Sequence, residues 1–266
     1  MRRRLDVELV RRGLAPSRAR AVEAITAGLV SVSGNPATTP ARQVDAAEPI
    51  VVADEPGADR FVSRGGTKLA GALDAFDVDV SGVRALDVGS STGGFTDCLL
   101  RRGATHVVAI DVGRGQLAWT LRNDPRVTVM ERTNVRELRA GAVDPPGDFC
   151  VADLSFISLR TVAPNLLELT TPEAEFVLLV KPQFEAGRHN VGRGGIVREA
   201  AVHGAVLREV VGAFSALGLG ARALVTSSLR GADGNIEFFV HARRGPNGVD
   251  DAEIERVVAD AHAVAA

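Results

Sequence analysis

The sequence predicts an α/β protein: a Rossmann-like, doubly wound fold with a seven-stranded, mostly parallel sheet, preceded by a small α+β domain. From Val83 onward, short apolar runs alternate with amphipathic segments, which is the pattern of parallel strands joined by helices. The first of these runs leads into a glycine-rich turn, as expected of a strand that presents a loop to a ligand. The first 53 residues instead contain two short helical patterns and a hairpin, so they form a domain of their own.

Length and composition suit one large domain and one small one. The chain has 266 residues, 45% of them apolar, and a net charge of −2. The charge is uneven, because residues 1–42 hold eight arginines against three acidic residues, which gives +5 and leaves −7 for the rest. A basic segment on an acidic body indicates a polyanionic partner for the N-terminus. A solvated helical face is the alternative explanation of the same charges.

Several classes of protein are excluded by what the sequence lacks. The N-terminus has no apolar core of the kind that a signal peptide requires, and apolar runs such as 176–180 are too short to span a bilayer. Cys98 and Cys150 lack the spacing of a metal or redox motif, so we interpret them as reduced core residues. We therefore expect a cytoplasmic protein that needs neither a membrane nor a metal.

The small domain is predicted to span 1–53, with helices over 5–13 and 17–28 and extended segments at 29–32 and 50–52. A polar linker is predicted over 54–64, and the larger domain over 65–266.

The larger domain is predicted to begin with a helix from Thr67 to Phe76, which places Lys68 in its first turn. A cation there opposes the helix dipole, so a purely structural role for Lys68 is less natural. Strands are expected at 84–88, 106–111, 127–131, 148–153, 175–181, 222–228 and 235–242. Helices are expected at 94–102, 115–123, 158–169, 198–217 and 250–264.

The loop within Ala85–Asp97 is the centre of the predicted ligand site. Its glycines let the backbone approach a ligand closely, and the helix that follows directs its first N–H groups at that ligand. The spacing is not G-x-G-x-x-G, so the NAD fingerprint is not met. The Asp-x-Gly run resembles the first motif of S-adenosylmethionine (SAM) methyltransferases, which implies SAM as cofactor; an ordinary strand-to-helix turn is the alternative. The predicted cofactor residues of this loop are Asp87, Gly89, Ser91, Thr92, Gly93, Gly94 and Phe95.

Acidic residues at the ends of two further strands complete the predicted cofactor site. Asp111 follows the glycine loop by about twenty residues, where a carboxylate can accept both ribose hydroxyls of a nucleoside. Val112 belongs to the same run, and Asp153 ends the fourth strand. Because ligands bind at the carboxyl ends of strands in such sheets, we expect these side chains to face one crevice. The spacing also serves NAD, so it supports nucleoside binding without choosing the cofactor.

Lysine is almost absent from the chain. There are 29 arginines and two lysines, Lys68 and Lys181. A guanidinium stays protonated, whereas an ammonium can lose its proton when it is buried or crowded by other cations. The two lysines are therefore candidates for chemistry that arginine cannot perform, with chance retention as the alternative.

The N-terminal residues resemble the S4 domain, an RNA-binding module. The resemblance rests on Arg4-Leu5-Asp6, Leu9, Gly13, Ser17-Arg18, Ala21, Ile25, Gly28-Leu29-Val30 and Val32-Ser33-Gly34. It implies that the second helix and the following turn lie against structured RNA. Arg4, Arg18 and Arg20 would then contact phosphates, which position RNA without specifying its sequence.

Four residues of the larger domain match a known catalytic order. Lys68, Asp153, Lys181 and Glu237 follow the Lys-Asp-Lys-Glu order of FtsJ-type RNA ribose 2′-O-methyltransferases. That resemblance implies these four as catalytic residues. Taken singly, each acid could instead be a helix cap or a solvent-facing residue.

The whole chain resembles the TlyA family of 16S/23S ribosomal RNA cytidine-2′-O-methyltransferases, also called hemolysins. The supporting motifs include Val62-Ser63-Arg64-Gly65-Gly66, Asp153-Leu154-Ser155-Phe156-Ile157-Ser158 and Lys181-Pro182-Gln183-Phe184. The resemblance implies ribosomal RNA or ribosomal subunits as the partner, with Arg64 as a fourth RNA-binding candidate. One departure is Phe61, where some members carry Trp.

The expected mechanism is an in-line displacement in which a ribose 2′-hydroxyl attacks the SAM methyl group. Lys181, as the neutral amine, would accept the proton, and a nearby Lys68 would favour that neutral form. Asp153 would orient Lys181, and Glu237 would hold Lys68 or the ribose. A non-catalytic RNA-binding assembly factor is the alternative from another class. A pore-forming hemolysin is a third, and it would require a membrane-inserting segment.

Overall fold

The structure is a computed structural model that describes residues 2–15, 17–45, 47–52, 61–192, 194–231 and 234–263, with only the backbone of Arg188. The chain divides into two compact units, Met1–Arg60 and Phe61–Ala266. Of the predicted linker, residues 54–60 lie outside the described ranges. Residues 61–64 belong to the larger unit, where the Val62 N–H donates to the Asp97 carboxylate at 2.8 Å.

The small unit is an α+β domain, as predicted. Its described residues form helices α1 (Leu5–Arg11) and α2 (Arg18–Thr26) and strands β1 (Arg3–Arg4), β2 (Val30–Val32), β3 (Asn35–Pro36), β4 (Gln43–Val44) and β5 (Ile50–Val52). β2 pairs with β3 and β5, and β1 pairs with β4, all antiparallel. The core contains the apolar side chains of both helices, among them Leu5, Leu9 and Ile25. The pairing of β1 with β4 was not predicted, because two-residue strands carry no periodicity.

The described residues of the larger unit alternate strands and helices as the sequence predicts. The strands are β6 (Arg84–Val88), β7 (His106–Ile110), β8 (Val127–Met130), β9 (Gly147–Ala152), β10 (Thr170–Val180), β11 (Leu219–Thr226) and β12 (Phe238–Arg244). The helices are α3 (Arg64–Phe76), α4 (Gly94–Arg101), α5 (Trp119–Arg122), α6 (Leu159–Glu168), α7 (Pro182–Glu185), α8 (Ala200–Ala216) and α9 (Asp251–Ala263). Short 3₁₀ turns lie at Val135–Glu137 and Arg188–Asn190.

Within the described residues these strands form a seven-stranded sheet in the order β11-β12-β10-β9-β6-β7-β8, which confirms the predicted fold class. β10, β9, β6, β7 and β8 run parallel, whereas β12 is antiparallel to both of its neighbours. The chain proceeds from β6 outward to β8 and then returns to β9 on the other side of β6. The strand order therefore reverses between β6 and β9, and a crevice opens there at the carboxyl ends.

Helices cover both faces of this sheet. One apolar cluster joins α6, α8 and α9 to alternate residues of the strands, and a second joins α3 and α4 to the intervening residues. In β6, for example, Leu86 belongs to the first cluster and Ala85 to the second. Strands buried on both faces read as continuous apolar runs, which explains why they were recognisable in the sequence.

Three local predictions were wrong. α3 begins at Arg64, so Lys68 lies in the second turn and the argument from the helix dipole does not hold. The helix predicted at 115–123 is only Trp119–Arg122, because the Gly115 N–H is held by the Glu131 carboxylate at 2.7 Å in a loop with φ +68°. Glu237 lies just before β12 rather than inside it.

The start of β12 at Phe238, later than predicted, has a clear cause. The Asn235 side chain accepts the Val197 N–H at 2.9 Å and donates to the Gly195 carbonyl at 2.9 Å. The Asn235 carbonyl accepts the Gly231 N–H at 2.9 Å. These bonds commit residue 235 to its loop, so the regular ladder begins only at Phe238.

Candidate active site

A cavity of about 500 Å³ opens at the carboxyl edge of the sheet, beside the reversal between β6 and β9. This volume is in the usual range for small-molecule sites, roughly 300–1,000 Å³. Its described lining comes from the last residues of β6 and β7 and from the segments that follow β6, β7, β8 and β9: Val88, Gly89, Ser91, Ile110, Asp111, Val112, Gln116, Thr133, Asn134, Val135, Arg136, Asp153, Leu154, Ser155, Phe156 and Ile157.

The loop after β6 is fixed against the neighbouring strands. Gly89 adopts φ +87°, and a Cβ at this position would lie 2.5 Å from the Asp153 carbonyl oxygen, so only glycine fits. The N–H groups of Gly89 and Ser90 both donate to the Ile110 carbonyl, at 2.8 and 3.2 Å. The loop is therefore held close to β7 and β9 on either side of the cavity.

Asp111 is positioned by backbone N–H groups. Its Oδ2 accepts the Ser91 N–H at 2.8 Å and its Oδ1 accepts the Gly113 N–H at 2.6 Å. A carboxylate oxygen can accept more than one hydrogen bond, so both oxygens remain able to accept ribose hydroxyls. Val112 follows with 70% of its surface exposed, which leaves an apolar contact at the cavity for a base. These residues fit a nucleoside.

Five of the predicted cofactor residues, Gly89, Ser91, Asp111, Val112 and Asp153, line this cavity, and the other five do not. A Cβ at Gly93 would lie 2.3 Å from Leu121 Cδ1, and one at Gly94 would lie 2.2 Å from Ser63 Oγ. Both glycines therefore permit close packing beneath the loop. The remaining three are Asp87, Thr92 and Phe95, of which Asp87 and Phe95 are buried.

Asp87 is fully buried in β6. Its Oδ2 accepts the Thr96 hydroxyl at 2.6 Å, and its Oδ1 has no hydrogen-bond partner among the described residues. Burial raises the pKa of this carboxyl from 3.8 to about 7, with the nearby Asp153 carboxylate acting in the same direction. Its place in the strand supports a role beneath the ligand loop.

The four predicted catalytic residues come together as two ion pairs. Lys181, directly after β10, pairs with Asp153, directly after β9. Lys181 Nζ also lies 3.3 Å from Ser155 Oγ. On α3, Lys68 Nζ lies 2.5 Å from Glu237 Oε2, and these two residues are only 8% and 2% exposed.

The two pairs interact electrostatically. Burial raises the pKa of Glu237, the Lys68 ammonium is the largest opposing influence, and the charges of Lys181 and Asp153 also act on this carboxyl. Val180 pairs with Phe238 in the sheet, so the neighbouring Lys181 and Glu237 lie close together; the four charges therefore belong to one cluster, and its Asp153 end lines the cavity.

The loop after β9 presents an aromatic ring that sequence reasoning did not assign to the site. Phe156 is 90% exposed, has φ +64°, and lies with its ring centroid 5.2 Å from that of Phe184. The Phe184 ring is in turn 6.0 Å from Lys181 Nζ. The available signal was a phenylalanine in each of the two polar motifs that follow adjacent strands.

A second omission is the segment after β8. Thr133, Asn134 and Arg136 line the cavity, and the Asn134 side chain accepts the Arg136 N–H at 3.2 Å. A run of polar residues at the end of a buried parallel strand was the signal that could have identified them.

The predicted RNA-binding arginines lie in both units. In the small unit, Arg4 and Arg18 both donate to the buried Asp6 carboxylate, with contacts of 2.9–3.0 Å. Together these arginines lower the pKa of Asp6 to about 2. Arg20 pairs with Glu23 at 2.5 Å on the exposed side of α2. In the larger unit, Arg64 is exposed and donates to the Arg230 carbonyl at 2.8 Å.

Within the described ranges, no group of three or more His, Cys, Asp or Glu side chains is arranged to hold a metal ion. None of the helices in the described part of the chain combines the length and the apolar character needed to cross a bilayer.

Comparison with known families agrees with this geometry. The FtsJ-like methyltransferase family matches residues 61–244, and the S4 domain matches residues 3–50. The chain therefore belongs to the FtsJ-like methyltransferase family and carries an S4 domain ahead of the catalytic fold.

Individual relatives narrow the class. The 16S/23S rRNA (cytidine-2′-O)-methyltransferase TlyA of Mycobacterium tuberculosis is 51% identical over 91% of this chain and 90% of its own length. Hemolysin A of Brachyspira hyodysenteriae is 37% identical over 90% of this chain and 98% of its own length. The solved structure of a proposed hemolysin from Streptococcus thermophilus is 38% identical, covers 98% of this chain and 96% of its own, and has a TM-score of 0.79. Within the FtsJ-like class, the chain belongs to the TlyA family.

Proposed function

We propose that this protein transfers a methyl group from SAM to the 2′-hydroxyl of a cytidine ribose in ribosomal RNA. The observation that carries the proposal is the placement of the two lysines. In a chain with 29 arginines, both lysines are ion-paired with carboxylates in one cluster beside the cavity. The Mycobacterium tuberculosis relative is named for this reaction. Ribosomal RNA as substrate also implies that the protein works in the cytoplasm.

The cavity residues fit the nucleoside part of SAM. Asp111 would accept the ribose hydroxyls, Val112 would contact the base, and the loop at Gly89 would allow close approach of the backbone. When bound, SAM supplies a sulfonium-activated methyl group. Proximity and alignment of the two reactants provide most of the acceleration.

Lys181 would act on the attacking hydroxyl. Lys181 pairs with Asp153 as an ammonium, so it must first release a proton to solvent; the neutral Nζ would then accept the 2′-hydroxyl proton, with Asp153 and Ser155 fixing the direction of the amine. Glu237 contacts Lys68. This contact favours the expected role of Glu237 in holding Lys68 over its other expected role, binding the ribose. Lys68 in turn contributes positive charge near the reacting oxygen.

Phe156 supports an RNA substrate. An exposed aromatic ring beside the reacting cluster offers a stacking surface to a nucleobase at or next to the target, and such stacking contributes about 1–3 kcal/mol. The S4 domain would contact RNA elsewhere through Arg4, Arg18 and Arg20, while Arg64 would do so from the larger unit.

The test is methyl transfer from labelled SAM to purified, unmodified ribosomal subunits, with wild type, Lys181→Ala and Lys181→Arg side by side. We expect the wild-type product to contain an alkali-resistant 2′-O-methylated dinucleotide and both variants to be inactive. Subunit binding by the wild type without transfer would favour the assembly-factor alternative. Near wild-type turnover by Lys181→Arg would exclude Lys181 as the base.

A further inference from the structure

Glu185 is a buried acidic residue that the mechanism above does not use. It ends α7, which follows Lys181 directly, and it is 5% exposed. Burial raises the pKa of this carboxyl, while its hydrogen-bond donors and the Arg160 guanidinium oppose that effect. A buried carboxylate is costly unless its oxygens are satisfied, so its partners indicate what it does.

Those partners all lie at the beginning of α6. Glu185 Oε1 accepts the Leu159 N–H at 2.6 Å, and Oε2 accepts the Ser158 hydroxyl at 2.5 Å and Arg160 Nε at 3.1 Å. Arg160 Nη2 also donates to the Glu185 carbonyl at 2.9 Å. The segment after β10 is thereby fastened to the segment after β9.

These contacts join residues 153–158 and 181–185 into a closed ring of contacts, which contains the catalytic pair. Four residues separate Asp153 from Ser158, and three separate Lys181 from Glu185. The Lys181–Asp153 ion pair closes one side of the ring, and the Glu185 carboxylate closes the other.

The sheet holds the backbone at these two residues, through the Asp153 N–H bond to the Val88 carbonyl at 3.0 Å and the pairing of Val180 with Phe238, but direct pairing of β9 with β10 does not reach Lys181 and Asp153. The paired register of β9 and β10 ends at Ala152 and Leu178, and both catalytic side chains follow the strands. The ring also contains Phe156, whose φ of +64° is unfavourable for a bulky residue and persists only where surrounding contacts enforce it. The hydrogen bonds of Glu185 join the two segments through a buried carboxylate, so they are among the contacts that can enforce both.

We propose that Glu185 is a positioning residue, which holds Lys181 Nζ in register with Asp153 by tying the loop after β9 to the segment after β10. This inference rests on the proposed function, since its consequence is measured in methyl transfer. Glu185 touches neither substrate nor cofactor in this scheme. Its effect passes through the geometry of the ion pair.

The decisive variant is Glu185→Gln. The amide oxygen can still accept the Leu159 N–H, but the NH₂ group cannot accept from Arg160 Nε, and the Ser158 hydroxyl must rotate to accept where it had donated. We expect the single-turnover methyl transfer rate, at saturating SAM and subunits, to fall about tenfold or more, because small displacements of reacting groups have effects of this size. The dissociation constants for SAM and for subunits should stay within about twofold of wild type.

Glu209→Gln is the matched control. Glu209 on α8 accepts from Nη1 of the same Arg160 at 2.6 Å, and the chemical change is the same. Because this contact lies outside the ring, we expect wild-type rates. Ser158→Ala is a second variant, which removes one donor and leaves the carboxylate in place. It should give an intermediate rate, and Ser158→Thr should restore it.

Each outcome either supports or overturns the positioning role of Glu185. A wild-type rate for Glu185→Gln would overturn the proposal. So would a rate loss matched by equal weakening of SAM and subunit binding and a lower unfolding midpoint, since that is the signature of a merely structural residue. If Glu185→Gln does not fold, a wild-type rate for Ser158→Ala overturns the proposal instead. An inactive wild type would refute the proposed function, and the positioning role that rests on it would be refuted with it.

Discussion

At the scale of single residues, the cluster combines an enclosed ion pair with a more open one. Lys68 and Glu237 are almost entirely shielded from water, whereas Asp153 of the second pair reaches the cavity. A buried ion pair adds little net stability, but removing one partner leaves the other charge buried and unpaired. The inner pair is therefore suited to hold charge in place, and the outer pair to meet the substrate.

Glu237→Ala should destabilise the larger unit. The variant leaves the Lys68 ammonium buried without its carboxylate, so we expect the free energy of unfolding to fall by about 3–5 kcal/mol. Denaturant unfolding monitored by circular dichroism measures this change. Glu175→Ala, which removes a half-exposed partner of His241, is the comparison, and an equal loss in both variants would contradict the expectation.

Asp87 predicts a pH dependence of stability. Because its pKa in the folded state is raised to about 7, its contribution to stability is fully present below its ordinary pKa and is lost as the pH rises through about 7. Between pH 5 and pH 8, wild type should lose stability relative to Asp87→Asn by an amount on the order of a few kcal/mol. Urea unfolding at both pH values tests this. Asp260→Asn on the exposed face of α9 should follow wild type, and parallel curves for Asp87→Asn would refute the interpretation.

At the scale of elements, the segments that follow β9 and β10 carry most of the proposed chemistry. Their strands are adjacent and parallel, so their ends meet at the same edge of the sheet. Beyond the strands, side-chain contacts replace the ladder: Lys181 with Asp153, Phe156 with Phe184, and Glu185 with Ser158. We therefore expect the geometry of the proposed site to depend on both segments together.

Phe156 should show a separation of stability from RNA binding. Glycine tolerates φ +64° better than alanine by about 1–2 kcal/mol, so Phe156→Gly should unfold at a higher denaturant concentration than Phe156→Ala. Both variants should bind ribosomal subunits about tenfold or more weakly, because the stacking surface is lost. Trp119→Ala removes an exposed aromatic residue outside the cavity lining and should bind as wild type. Unchanged subunit affinity in the Phe156 variants would exclude the stacking role.

At the scale of the whole molecule, the uneven charge suits a protein that binds RNA through one segment and performs chemistry in another. The basic N-terminal segment attracts phosphates, while the acidic remainder limits non-specific attachment of the larger unit. Asp6 fixes the positions of two of the proposed phosphate-binding arginines, because both donate to its buried carboxylate.

Subunit binding should therefore depend on salt through the small unit. Each phosphate contact that is removed should reduce the slope of log K against log salt by roughly 0.7–0.9. We expect that reduction for Arg18→Gln and for Arg20→Gln, measured by filter binding at several salt concentrations. Arg256→Gln, on α9, should leave the slope unchanged. A slope equal to wild type in both S4-domain variants would place the RNA contact elsewhere.

The sequence by itself determined the α/β class, the order of strands and helices, and the four residues that match the catalytic order. Buried parallel strands read as apolar runs, and two lysines among 29 arginines are conspicuous without any coordinates. The S4 domain could likewise be predicted from its residue pattern.

Only the tertiary structure decided which lysine pairs with which acid, which loop residues reach the cavity, and where α3 and β12 begin. Lys68 and Glu237 are 169 positions apart and meet only because α3 and the segment before β12 pack together. Half of the predicted cofactor residues lie outside the cavity lining. Gly93 and Gly94 are among them, because side chains from other segments pack against these two glycines. Glu185 and Phe156 were not assigned to the site from the sequence, because their proposed roles depend on contacts between the segments that follow β9 and β10. Local pattern encodes periodicity and burial, whereas contacts distant in sequence depend on how the elements pack.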